Sequence, residues 1–64
     1  MREVKVRLRM KLADAMGELR IWLDRRNYVP VSFDISREDG GVLLVRIVFP
    51  EDDMAEAFLR DFGS

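Results

Sequence analysis

Residues 41–49 read Gly-Val-Leu-Leu-Val-Arg-Ile-Val-Phe, a stretch apolar on both of its faces within a chain of only 64 residues. Side chains along a strand alternate, so Leu43, Val45, Ile47 and Phe49 point one way while Val42, Leu44 and Val48 point the other. Such a strand needs cover on both sides. A chain this short buries a smaller fraction of its surface than a larger domain does, and is correspondingly marginal on its own. Its own helices can cover one side. What covers the other is the question this sequence raises about function.

Outside help cannot come from disulfides or thiolate–metal bonds, because there is no cysteine, and the absence of histidine removes the commonest neutral metal ligand and general base. No cofactor or metal is expected. Self-association is the remaining common route to stability for a small domain. No apolar run has the length to span a bilayer, and the N-terminal segment is charged and alternating, unlike a signal peptide; the expected compartment is the cytoplasm. A hydrophobic content of 48% argues for a folded chain.

The net charge of −1 hides two opposed halves. Residues 1–26 carry eight Lys and Arg against four Asp and Glu, while residues 27–64 carry three against eight. The two segments either lie side by side and offset one another or dock between copies, since sign asymmetry constrains partners more than topology.

Residues 1–10 alternate, with Val4, Val6, Leu8 and Met10 against Glu3, Lys5, Arg7 and Arg9, the pattern of a half-buried strand. From Leu12 to Arg26 the period becomes helical, with Leu12, Ala15, Met16, Leu19, Trp22 and Leu23 on one stripe. Lys11 offers no cap, leaving Asp14 as a candidate N-cap; Asn27 suits the left-handed conformation that stops a helix. Residues 31–37 alternate again, with Val31, Phe33 and Ile35 inward. Asp39-Gly40 within Glu38-Asp39-Gly40-Gly41 then signals a hairpin. Pro50 ends the following strand, Glu51, Asp52 and Asp53 match the positive end of a second helix, Met54, Ala55, Phe58 and Phe62 form its apolar stripe, and Gly63 stops it.

The expected fold is a single α+β domain of order β-α-β-β-α over residues 1–64, a two-layer sandwich whose three-stranded mixed sheet has order 1-3-2. The most apolar strand takes the middle. In outline this resembles a split β-α-β unit of the ferredoxin-like type shortened by one strand; the likeness is one of layout, and no functional motif accompanies it. Trp22, Leu19, Phe33, Val45, Ile47 and Phe58 are the expected core.

With both helices on one face, the other presents Lys5, Arg7 and Arg9, then Val42, Leu44, Arg46 and Val48, then Ser32, Asp34 and Ser36. Three readings follow. This face joins two copies, with Val42, Leu44, Arg46, Val48, Arg7 and Arg9 as the interface. Alternatively, the second helix crosses over and covers it. In the third reading Lys5, Arg7, Arg9 and Arg46 meet nucleic acid or another anion, a reading that lacks the exposed aromatics of single-strand binders and the basic character of a dedicated one. A further line, Ala13, Gly17 and Ile21, recurs every four residues on the first helix, where Gly17 is either a close-approach point or a tolerated surface residue.

Catalysis has little to draw on. Ser32, Ser36 and Ser64 have no base to activate them, the acidic runs at 38–39 and 51–53 read as turn and helix-start chemistry without calcium-loop spacing, and no glycine pattern cradles phosphate. The sequence thus points to a small non-enzymatic protein-interaction module. It is expected to act as a homodimer through the open sheet face, with a heterologous protein as a further possible partner and no membrane contact.

Overall fold

The computed structural model describes residues 1–63; Ser64 lies outside the described residues. The chain runs through β1 (Arg2–Leu8), α1 (Leu12–Arg26), β2 (Ser32–Glu38), β3 (Val42–Phe49) and α2 (Asp52–Phe62). The strands form one sheet in the order β1-β3-β2. Both neighbouring pairs are antiparallel, so the expected mixed sheet is corrected to an antiparallel one. The crossover through α1 does make β1 and β2 run the same way, but β3 lies between them and no parallel ladder forms.

The register sorts the sheet into two faces. On one, Val4, Val6 and Leu8 of β1 sit beside Ile47, Val45 and Leu43 of β3, which in turn sit beside Phe33, Ile35 and Arg37 of β2. Both helices cover this face: Ala15 and Leu19 of α1 and Ala55 and Phe58 of α2 join the buried strand residues in one core. The second helix does not cross to the opposite face, which excludes the three-layer alternative among the described residues.

Trp22 is the hub of this core's aromatic end. Its ring meets the edges of Phe58, Tyr28, Phe62 and Phe49 at centroid separations of 5.4, 5.6, 5.7 and 6.5 Å. Edge-to-face pairs of this kind each contribute about 0.5–1.5 kcal/mol beyond the area they bury. The indole itself is only partly buried, and its Nε1 donates to Asp61 Oδ2 at 2.7 Å. Arg26 donates to the same oxygen at 3.0 Å and lies over the indole ring at 4.8 Å, so the C-terminal turns of the two helices are tied together. The Asp61 carboxyl is held below its ordinary pKa, chiefly by the indole N–H; desolvation opposes this, and the Arg26 and Arg60 charges each add a smaller lowering.

Local chemistry explains the element ends. Lys11 makes no side-chain cap, α1 starts directly at Leu12, and Asp14 falls inside the first turn, not at the N-cap. At the other end Asn27 is left-handed (φ 56°, ψ 36°), which lets the N–H groups of Asn27 and Tyr28 return to the carbonyls of Asp24 and Leu23. The β2–β3 hairpin closes through Asp39, Gly40 and Gly41, and both glycines have positive φ (81° and 76°), a region that L side chains rarely adopt.

Three positions expected to face inward, Phe33 of the expected core among them, are exposed. Phe33 is 38% exposed, Met16 is 52% exposed, and Val31 precedes β2 and is 56% exposed. Period-two alternation assigns Phe33 to the helix side correctly, but the helix layer buries β1 and β3 and stops short of β2, where Ile35 is the one helix-side residue that is even half-buried. Met16 lies about 100° around the helix from Ala15, at the border of the inward stripe, and there it faces β2 across a groove. Strand β1 is also shorter than the alternating run, so Arg9 falls in the connection to α1.

Candidate interaction surface

The face of the sheet away from the helices is built in rows set by the register: Glu3, Val48 and Ser32; Lys5, Arg46 and Asp34; Arg7, Leu44 and Ser36; then Val42 beside Glu38. Every expected interface residue except Arg9 therefore lies on one surface, with Val42, Leu44 and Val48 down the middle strand. These three are half-buried, not bare. For Val42 and Leu44 the cause lies in the flanking strands. Arg7 Nε of β1 reaches Glu38 Oε1 of β2 at 2.8 Å, and since β3 separates the two strands, the paired side chains pass over Val42 and Leu44. Long charged side chains shield apolar surface with their methylene stems while their charged heads stay in water.

Arg46 lies between two acids, Glu3 Oε2 at 3.8 Å and Asp34 Oδ2 at 3.9 Å, and Lys5 Nζ shares Glu3 at 3.9 Å. Pairs this exposed contribute about 0–1 kcal/mol each, so they organise the surface more than they stabilise it. The resulting pattern is mainly basic along β1 (Lys5 and Arg7, with Glu3 at one end) and acidic along β2 (Asp34, Glu38), with a strip between them that is apolar except for Arg46. The cations of the anion-binding alternative, Lys5, Arg7 and Arg46, each share this face with a carboxylate within 4 Å. No aromatic residue falls in the open-face rows; Phe33 sits on the helix side of β2.

A second exposed apolar region escapes a reading by periodicity. Where α1 passes β2, Met16, Gly17, Leu23, Tyr28, Pro30 and Phe33 line a groove of about 540 Å³. Val29, 77% exposed, lines it too, as do the charged Arg20 and Asp24. The Ala13, Gly17 and Ile21 line is solvent-facing, and a Cβ added at Gly17 would meet no atom within 4 Å. The sequence signal for this region was the run Tyr28-Val29-Pro30-Val31, apolar residues in a connector where polar ones are usual.

Among the described residues, no group of three or more His, Cys, Asp or Glu side chains is placed to hold a metal, and no helix is long and apolar enough to cross a membrane. Ser32, Asp34 and Ser36 share the open face as alternation requires. No protein-family model, curated protein or solved structure matches the chain.

Proposed function

We propose that this chain is a small non-enzymatic protein-interaction module that forms a homodimer through the open face of its sheet. The observation that carries this reading is the distribution of residues on that face. Both helices lie on the other side, which leaves Val42, Leu44 and Val48 flanked by a mainly basic strand and an acidic one. If two copies stack face to face about a two-fold axis parallel to β3, β1 of each lies over β2 of the other, so Lys5 meets the partner's Asp34 and Arg7 faces the partner's Ser36, one row from the partner's Glu38. Arg46 then approaches its own copy, its charge offset by Glu3 and Asp34. An apolar centre within a charged rim is the usual anatomy of a protein interface.

In the same reading the layout is a ferredoxin-like unit without its last strand, and the module works in the cytoplasm, where a chain free of cysteine needs no oxidising environment.

Charge reversal tests the arrangement. Lys5→Glu is expected to weaken the dimer, and adding Asp34→Lys to the same chain to restore it, because each substituted residue then meets its opposite across the axis. A double variant no tighter than Lys5→Glu alone would count against this stacking. Nucleic acid, the alternative occupant, is tested by mobility shift: binding that falls steeply with salt and is weakened by Arg7→Ala would support it over the dimer.

A further inference from the structure

The sheet has two free edges, and they are built differently. β1 carries Lys5 and Arg7 along one edge, side chains that discourage aberrant strand pairing. β2 forms the other edge; from Ser32 to Glu38 it contains no proline and no lysine, and its charges, Asp34, Arg37 and Glu38, are of both signs. Beside it lie Met16, Val31 and Phe33, 52%, 56% and 38% exposed, and the open space at Gly17. A strand edge without proline or lysine, next to exposed apolar side chains, is a template for another strand.

We propose that β2 pairs antiparallel with β2 of a second copy about a two-fold axis normal to the sheet, joining two three-stranded sheets into one of six strands. Charge selects the register. With Ile35 centred on the partner's Ile35, Asp34 lies opposite the partner's Ser36, Ser32 opposite the partner's Glu38, and Phe33 opposite the partner's Arg37, where a guanidinium can lie on the ring. No like charges face each other. The side-chain period permits only shifts that keep each side chain on its own face. The nearest shift one way sets Asp34 against the partner's Asp34, and the nearest shift the other way sets it against the partner's Glu38; like charges directly opposite are destabilising. In the selected register α1 of each copy flanks the joint, so Met16 and Phe33 from both sides close over it, and the bare Cα of Gly17 leaves room for the partner's helix.

This contact goes beyond the open-face dimer and uses different residues. A chain with both contacts assembles past the dimer. Sedimentation equilibrium on the wild type, Phe33→Lys, Leu44→Asp and the double variant separates the two contacts, with near-ultraviolet circular dichroism of Trp22 confirming the fold of each. The expected result is wild-type mass above the dimer, a dimer for each single variant and a monomer for the double. If Phe33→Lys has the mass distribution of the wild type while Leu44→Asp is monomeric, β2 pairing is overturned and the open-face contact stands. If Leu44→Asp matches the wild type while Phe33→Lys does not, the open-face contact fails and β2 pairing stands. Should Phe33→Lys fail to fold, Arg37→Glu, at an exposed position, is expected to weaken the β2 contact about tenfold, and an unchanged mass distribution for it would overturn the proposal.

Discussion

The indole Nε1 of Trp22 donates to the Asp61 carboxylate at 2.7 Å across 39 residues of sequence, and this bond fastens the end of α1 to the end of α2. Because the indole, Arg26 and Arg60 all favour the charged form, Asp61 has a lower pKa in the fold than its ordinary 3.8. A carboxyl with a depressed folded pKa contributes stability that is fully present above its unfolded pKa and is lost as pH falls through the folded value. Chemical denaturation is therefore expected to show the wild type losing stability below about pH 4, with Asp61→Asn less stable at neutral pH and less sensitive to acid. An equal acid response in the two proteins would show that Asp61 is not the titrating group.

Phe58 is fully buried and touches the aromatic hub from α2. Removing such a side chain typically costs about 3–5 kcal/mol, which rivals the whole stability of a small domain. Phe58→Ala is expected to be largely unfolded at room temperature by far-ultraviolet circular dichroism. Retention of a cooperative thermal transition near that of the wild type would contradict the placement of Phe58 at the core's centre.

Two glycines are expected to respond in opposite ways. Gly17 lies within α1, and an added methyl would meet nothing, so Gly17→Ala should stabilise the isolated chain by about 1 kcal/mol through helix propensity. Gly41 has φ 76°, and Gly41→Ala should destabilise by about 1–2 kcal/mol because a Cβ is strained there. Denaturant titration gives both signs, and a stabilising Gly41→Ala would mean that the hairpin closes differently.

The element order, the central place of β3 and the hairpin were legible because each rests on local chemistry: alternation in Val4, Val6 and Leu8, the helical period of Ala15 and Leu19, and positive φ at Gly40. The open-face rows were legible too, since strand period and order together place Lys5, Arg46 and Asp34 side by side. Phe33 and Met16 were not. Periodicity tells which way a side chain points but not how far a helix layer extends over an edge strand, and that depends on where α1 and α2 settle against one another. The Trp22–Asp61 bond was beyond reach for the same reason: its partners come from separate helices, and only their packing brings them together.

The decisive observation concerns Leu44, the apolar centre of the open face. Sedimentation equilibrium over a wide concentration range, run on the wild type and on Leu44→Asp, measures whether that face holds a second copy, since a charge buried there without a partner would be strongly destabilising to the complex. The expected result is a wild type that self-associates and a folded Leu44→Asp chain of lower average mass at every concentration. A wild type that stays monomeric throughout, or a folded Leu44→Asp chain with the same mass distribution as the wild type, would contradict it.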